Sequence, residues 1–237
     1  PISSPLPRAL PEETGIPSGV IADFLTDLKN DPTLDMHTVL FVKNGAVIAS
    51  AEFGEHSMGI PKYVFSASKS VTALAIGMLI DDGKLSMNEK LVDIFGDLTN
   101  TISKLRLRDV TVETLLTMRS CSIFNEVSSM TTPDWQSEFM KSLTRGTVNT
   151  DFNYNSLNTY MLAAIVSRKT GKGLVEYLTP RLFEPLDIKN IYWEKSPEGI
   201  EKGGWGLYIR PEDFAKIGLM VQNGGTWNGK RLISSVW

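Results

Sequence analysis

The chain has 237 residues, 42% of them hydrophobic and 22% charged, which is an ordinary composition for a globular protein of one large domain or two small lobes. A net charge of −3 and a pI near 5.5 give no reason to expect nucleic acid as a partner, and the longest apolar stretch, around 71–80, is too short to span a bilayer. Cys121 is the only cysteine, and His37 and His56 are the only histidines, so an intrachain disulfide, a multi-cysteine metal site and a His-rich zinc site are excluded.

The N-terminal part of the chain predicts an irregular arm, a helix and a hairpin. Residues 1–17 are rich in proline and indicate the arm. A helix with one apolar face follows from Pro17-Ser18 to about Asn30. Two apolar runs over 38–53 are joined at Asn44-Gly45, and Asn-Gly between such runs is the strongest short-range signal of a β-hairpin.

The next element is a buried helix. The apolar run from Val71 to Ile80 predicts it, and Asp81-Asp82-Gly83 ends it at a glycine C-cap. Ser66 comes at its first turn, where unpaired N–H groups and the helix dipole favour developing negative charge. Lys69 follows three residues later, so one helical turn brings both side chains to the same face.

The remaining chain is predicted to be mainly helical. Its elements are, in chain order, short helices and turns over 84–118, a polar irregular stretch over 119–150 with a short helix at 134–142, a helix over 157–169 that ends at Gly171, a helix over 174–183 that Pro180 kinks, and a helix from Pro211 to Gly224-Gly225. A hairpin followed by a long helical stretch predicts an α+β fold rather than alternating βαβ units.

Ser66-Ala67-Ser68-Lys69 is the first candidate site. A serine becomes a useful nucleophile when a neighbouring base takes its proton, and a lysine does this if it is held neutral. Half neutrality at pH 7 requires the lysine pKa to fall by about 3 units, or about 4 kcal/mol, which burial near a helix N-terminus can supply. The alternative is that Ser66 only caps the helix and Lys69 is solvated.

Tyr154 is the second candidate. Residues 151–157 leave a loop just before a buried helix, where a phenol could face Ser66 and Lys69. Tyr154 could accept the Ser66 proton if it is deprotonated, or relay that proton to a leaving group. The alternative is that Asn155 or Ser156 caps the helix and Tyr154 packs against the helical lobe.

Other motifs receive structural interpretations. Lys169-Thr170-Gly171 matches a β-lactamase motif that belongs on a strand, but here it ends a helix. Gly203-Gly204-Trp205-Gly206 could cradle a substrate backbone or form a tight turn before a strand. No Gly-x-Ser-x-Gly elbow is present, and neither His37 nor His56 is placed for a Ser-His-Asp triad.

Four stretches together resemble the serine β-lactamase and penicillin-recognising family, on its class C and esterase side. They are Tyr63–Ser70, Leu115–Ser120, Phe152–Ser156 and Gly203–Leu207. The similarity runs in order from about residue 10 to the last residue, and the joint match is far more specific than any single motif.

The resemblance implies an α+β fold of the β-lactamase/transpeptidase type. An antiparallel sheet covered by helices lies beside an all-helical lobe, with the site in the cleft between them. The resemblance also implies Ser66 as nucleophile, Lys69 as base and Tyr154 as proton relay, with the Ser66 backbone N–H as one oxyanion donor. It implies no metal or organic cofactor.

The resemblance further assigns Asn155, Ser156 and Trp205 to substrate binding. The family's second motif is commonly Tyr-x-Asn, whereas here Ser156 holds the third position and Asn155 the middle one. A serine cannot present the same amide to a substrate carbonyl, which argues against β-lactam-like recognition more than against catalysis.

The chain ends carry two further expectations. Family members continue beyond the position of Trp237, with strands that complete the sheet, the third motif and the second oxyanion donor, so we expect a fragment or a protein whose remainder is elsewhere. No signal peptide is visible, but the first residue is Pro1 rather than methionine. The expectation is a soluble protein, either cytoplasmic or a processed exported form.

The combined hypothesis is one β-lactamase-related catalytic domain over 1–237, with its hairpin at 38–53 and its helical lobe at about 66–185. It is a serine hydrolase that cleaves a small ester or amide through a Ser66 acyl-enzyme. The alternative is a penicillin-recognising binder or sensor that turns over slowly or not at all. The expected partner is a small-molecule ester, amide or β-lactam-like substrate, and the oligomeric state is left open.

Overall fold

The computed structural model describes residues 3–237, which begin with the arm and lead into a helix and a hairpin. The hairpin strands β1 (Thr38–Lys43) and β2 (Ala46–Glu52) pair antiparallel after helix α1 (Ser18–Asn30). Asn44 and Gly45 at the turn both have positive φ, 53° and 79°. A type I′ turn needs this backbone, so the helix and hairpin predicted from the sequence are confirmed.

The proline-rich arm is irregular, as predicted, but hydrogen bonds tie it to the hairpin. Residues 1 and 2 lie outside the described residues, and the rest of the arm contains one 3₁₀ turn, Pro11–Thr14. Val47 N donates to Pro7 O at 2.8 Å, and Ala9 N donates to Val47 O at 3.2 Å. The arm therefore extends the sheet edge at β2 by a short bridge.

A second sheet brings distant parts of the chain together. Its central strand β5 (Leu207–Ile209) pairs antiparallel with β3 (Lys62–Tyr63) on one side and with β4 (Tyr192–Trp193) on the other. Because β3 leads into the Ser66 turn and β5 follows the Gly203–Gly206 turn, this sheet places the two turns side by side. A short hairpin, β6 (Thr226–Trp227) and β7 (Lys230–Arg231), lies near the C-terminal end.

The core forms around helices α2 (Ser68–Asp81) and α8 (Ser156–Thr170), which pack against each other and are buried over most of their surfaces. A 3₁₀ turn over Phe65–Ala67 precedes α2, so Ser66 lies just ahead of the α-helix rather than in its first α-helical turn. Phe65 has φ 45°, a left-handed conformation that costs free energy for a non-glycine residue. This backbone strain lies directly beside Ser66.

The predicted helical character of the rest of the chain is confirmed. The other helices are α3 (Leu91–Ile94), α4 (Thr101–Arg106), α5 (Val112–Leu116), α6 (Glu126–Ser129), α7 (Trp135–Lys141), α9 (Leu174–Leu178) and α10 (Pro211–Gln222). A π-type turn replaces the α-helix from Thr179, because Pro180 has no N–H to donate. Among residues 3–237, no helix combines the length and the apolar character needed to cross a membrane.

Candidate active site

Ser66 and Lys69 are within hydrogen-bond distance, as their spacing predicts. Lys69 Nζ donates to Ser66 Oγ at 2.9 Å. Ser66 is positioned by the 3₁₀ turn and Lys69 by the first turn of α2, so packing of α2 in the core fixes both. The alternative of a Ser66 cap with a solvated Lys69 does not describe this geometry.

Tyr154 completes a cluster of three side chains. Its phenol donates to Ser66 Oγ at 2.7 Å, and Lys69 Nζ lies 4.8 Å from the centroid of its ring. The side chain is 54% exposed, so it is not packed into the helical lobe. The loop ahead of α8 therefore directs Tyr154 towards the start of α2.

Lys69 has three hydrogen-bond acceptors around its side-chain nitrogen. Besides Ser66 Oγ, these are Ser156 Oγ at 3.0 Å and the backbone oxygen of Gly204 at 2.7 Å. A carbonyl can only accept, and three acceptors match the three hydrogens of an ammonium group. Ser156, the residue that departs from the family's Tyr-x-Asn, thus contacts Lys69 directly.

The Gly203–Gly206 turn brings the Gly204 carbonyl to Lys69. A Cβ on Gly204 would lie 2.6 Å from Ser156 O, and a Cβ on Gly203, whose φ is +64°, would lie 2.9 Å from Thr159 O. Glycine is required at both positions because the turn touches the backbone of α8. The sequence left two interpretations of Gly203–Gly206 open, a cradle for a substrate backbone and a tight turn before a strand. The structure has the tight turn, directly before β5.

Gly204→Ala is expected to destabilise the protein by about 1–3 kcal/mol and to slow the reaction of Ser66, because the added methyl forces the turn away from α8 and Lys69. Urea unfolding and the labelling rate of Ser66 measure the two effects. Gly218→Ala is the matched control, since nothing lies within 4 Å of a Cβ at this helical position. If Gly204→Ala is as stable and reactive as Gly218→Ala, the role given to this turn is wrong.

Asn155 is buried, and both atoms of its side-chain amide are hydrogen-bonded within the protein. It is only 3% exposed, its Oδ1 accepts from Leu157 N at 2.9 Å, and its Nδ2 donates to Ser122 O and Phe124 O at 3.1 and 2.8 Å. The sequence also allowed Asn155 to be a helix cap, and it is the N-cap of α8. We therefore revise its role from substrate contact to positioning of the loop that carries Tyr154.

Glu126 is a site residue that the sequence reasoning missed. Its Oε1 accepts from Ser156 N at 3.0 Å, so a carboxylate caps the N-terminus of α8 beside Lys69. Burial acts to raise its pKa, but hydrogen bonds from Ser156 and the charge of Lys69 outweigh that effect and hold the pKa below its usual value. The short helix α6 shows no apolar periodicity, and only its N-cap Asn125 offers a local signal.

The surroundings also shift the pKa of Tyr154. Burial acts to raise it, but hydrogen bonding with Lys69 and Ser66 and the positive charge of Lys69 lower it below the usual phenol value. The negative charge of Glu126 partly opposes this shift. Three neighbours thus adjust how readily the phenol loses its proton.

The cluster lies at the side of a cleft of about 420 Å³. Its lining is largely aromatic and apolar: Tyr63, Phe65, Ser66, Glu126, Ser129, Met130, Trp135, Ser156, Lys202 and Trp205. Trp205 lines the cleft and stacks on Trp135 with ring centroids 5.8 Å apart, and its assignment to substrate binding stays a prediction. Lys202 is paired with Glu194 at 2.8 Å, so its charge is compensated.

The remaining motifs have structural roles. Lys169-Thr170-Gly171 ends α8, where Gly171 has φ +69° and Lys169 pairs with Glu89. Cys121 is buried, as expected of a small apolar residue. Neither feature takes part in the cleft.

The chain is 29% identical over 197 residues to a 6-aminohexanoate-dimer hydrolase of Paenarthrobacter ureafaciens, an alignment that covers 73% of this chain and 48% of the relative. The chain thus spans about half the length of this curated relative.

Solved structures share the fold. A putative 6-aminohexanoate-dimer hydrolase from Bacillus anthracis superposes with a TM-score of 0.75 at 20% identity, over 91% of this chain and 60% of that one. A penicillin-binding protein homologue from Caulobacter crescentus gives 0.75 at 16% identity, over 98% and 76%. The predicted α+β fold of the β-lactamase/transpeptidase type is confirmed. A family model described as Beta-lactamase matches residues 15–236, and the chain therefore belongs to the Beta-lactamase family.

Proposed function

We propose that the chain carries the catalytic centre of a serine hydrolase that cleaves a small amide or ester through an acyl-enzyme on Ser66. The observation that carries this proposal is the convergence of Lys69 Nζ and the Tyr154 phenol on Ser66 Oγ, at 2.9 and 2.7 Å. A hydroxyl with a potential base and a cation in contact is the arrangement that nucleophilic catalysis needs. Membership of the Beta-lactamase family supports the same chemistry.

In this proposal Tyr154 is the general base and Lys69 the cation that stabilises its ionised form. The resemblance implied Lys69 as base and Tyr154 as proton relay, whereas the residues alone also allowed Tyr154 to accept the Ser66 proton. The contacts favour Tyr154 because the three acceptors around Lys69 Nζ suit an ammonium, whereas the pKa of the phenol is lowered.

The proposed reaction has two halves. Ser66 Oγ bonds to the carbonyl carbon as its proton passes to the Tyr154 phenolate, giving a tetrahedral oxyanion. Collapse of this intermediate breaks the bond to the amine or alcohol, which leaves with the proton from Tyr154. Water then attacks the acyl-Ser66 ester through the same proton transfers, releasing the acid and restoring both side chains.

A linear amide is the substrate class best supported. The relative is named for hydrolysis of a 6-aminohexanoate dimer, and two amino acids are joined by an amide. The aromatic lining of the 420 Å³ cleft suits an apolar chain of this size. At the position of Ser156 the family commonly has an asparagine, whose amide can hydrogen-bond to a substrate carbonyl. Ser156 offers only a hydroxyl, and that hydroxyl is already hydrogen-bonded to Lys69, which argues against recognition of a β-lactam carbonyl.

Intact mass spectrometry tests the proposal on the whole protein that contains this chain. A nitrophenyl ester and a linear aminoacyl amide should be turned over without a lasting adduct. A lasting adduct with penicillin and no turnover of either substrate would instead favour a penicillin-recognising binder. Absence of both turnover and adduct would contradict a reactive Ser66.

Glu126→Gln is expected to move the acidic limb of the pH–rate profile to lower pH. The phenolate is the active form of Tyr154, so kcat/KM rises with pH through the Tyr154 pKa. The charge of Glu126 acts to raise that pKa, and its removal lowers it. At a partly exposed site an interaction of about 1 kcal/mol corresponds to a shift of about 0.7 pH unit.

Glu138→Gln is the control for this change. It removes the same charge from an exposed position on the neighbouring helix α7, so it should leave the profile where it is. A shift of the Glu126→Gln profile to higher pH, or a profile identical to that of Glu138→Gln, would contradict the role of Glu126.

A further inference from the structure

The two histidines of the chain lie together, although they are far apart in the sequence. His37 immediately precedes β1, and His56 follows β2. Phe53 N donates to His37 O at 3.0 Å, and His56 N donates to Phe53 O at 3.2 Å, so the base of the hairpin holds both backbones. Their imidazole rings stack with centroids 3.6 Å apart and planes inclined by 23°.

A carboxylate lies beside the two stacked rings. His37 Nε2 lies 3.6 Å from Asp35 Oδ2. One donor atom from each of Asp35, His37 and His56 lies within 4.8 Å of the other two. All three side chains are at least partly open to solvent, so rotation about their side-chain torsions, with unstacking of the two rings, can turn the three donors towards one ion.

We propose that Asp35, His37 and His56 form a binding site for a divalent transition-metal ion of the Zn²⁺ type. Two imidazole nitrogens and one carboxylate oxygen are the ligands that Zn²⁺ takes at about 2.0–2.2 Å, whereas Mg²⁺ and Ca²⁺ require mainly oxygen ligands. The sequence excluded a His-rich zinc site from the number of histidines alone. Asp35 and His37 are two residues apart in the sequence, and the fold supplies the third ligand by bringing His56 to them.

The site has room for a further ligand. Asp35 and His56 also line an open groove of about 580 Å³, together with Glu52 and Phe53. Three protein ligands leave the fourth position of a tetrahedral ion for water or a small anion from this groove. A bound ion would join residues 35–37 to His56 across the base of the hairpin and would stabilise that end of the sheet.

Calorimetry with Zn²⁺ alone, on protein without a histidine tag, tests the proposal. We expect one Zn²⁺ per chain, and a melting temperature that rises with the Zn²⁺ concentration, because an ion that binds only the folded state stabilises it. His37→Ala and His56→Ala should each weaken binding at least ~10-fold. Asp35→Asn should weaken it as well, and Asp23→Asn, which removes an exposed carboxylate from α1, should not.

Co²⁺ provides a readout that does not depend on stability. Its visible absorption should appear on the wild-type protein and be lost in both histidine variants, whose melting temperatures in EDTA should equal that of the wild type. Absence of Zn²⁺ binding to the wild type, or binding that survives both single histidine substitutions, would overturn the site. Hydrolysis at Ser66 does not enter these measurements, so the two proposals stand or fall separately.

Discussion

Replacing Lys69 with alanine is expected to slow the acylation of Ser66 by about 10²- to 10⁴-fold, the usual cost of losing a group that assists proton transfer. Lys69 Nζ contacts Ser66 Oγ directly and favours the ionised form of Tyr154. Loss of this cation therefore raises the pKa of the phenol and removes a donor from the nucleophile. The rate of reaction with a fluorophosphonate probe measures the effect, and a thermal melt shows whether the fold is retained.

Lys169→Ala is the matched control for this prediction. Lys169 belongs to the Lys-Thr-Gly sequence that ends α8, where it pairs with Glu89. Its loss should leave the labelling rate unchanged. Full reactivity of Lys69→Ala, or an equal loss in Lys169→Ala, would contradict the assignment of Lys69.

The largest effect on stability is expected at Asp213. This carboxylate is fully buried and accepts hydrogen bonds from Lys216 Nζ at 3.0 Å, Arg210 Nε at 2.8 Å and Ser3 Oγ at 3.0 Å. Asp213→Asn keeps the shape but leaves the buried ammonium of Lys216 without its counter-charge. Breaking one partner of a buried ion pair costs about 3–5 kcal/mol, which urea unfolding will measure.

Two further variants separate charge loss from a general effect of substitution. Asp93→Asn, at an exposed position in α3, should change the free energy of unfolding by less than ~0.5 kcal/mol. Asp213→Asn combined with Lys216→Met should recover part of the loss, because the more deeply buried of the two cations that pair with Asp213 is then removed and only Arg210 is left without this partner. Asp213→Asn with wild-type stability would show that this cluster does not hold α10 and the N-terminal arm in place.

Local signals predict those parts of the fold that depend on neighbouring residues. The Asn44-Gly45 turn needs positive φ at two adjacent positions, and the Ser66–Lys69 spacing corresponds to one helical turn. The end of α8 at Gly171 likewise depends on one residue. These features can be identified without knowledge of what lies across the cleft.

The other contacts of the site depend on tertiary structure. Glu126, Ser156 and Gly204 lie in separate segments, and each reaches Lys69 or its neighbours only because α2, α8 and the second sheet pack together. The position of Asn155 in the motif suggested a substrate contact, but burial at the start of α8 turned it inwards. The approach of His56 to His37 likewise depends on tertiary structure, so local sequence signals do not predict it.

Peptide mapping after reaction with a fluorophosphonate tests the central claim, that Ser66 is the nucleophile, most directly. The whole protein that contains this chain is labelled, digested and sequenced by mass spectrometry, beside its Tyr154→Phe variant. The account predicts a single modified serine, Ser66, in the wild type, and much slower labelling of the same residue in Tyr154→Phe. Modification of Ser68, Ser70 or Ser156 with Ser66 unmodified would contradict it.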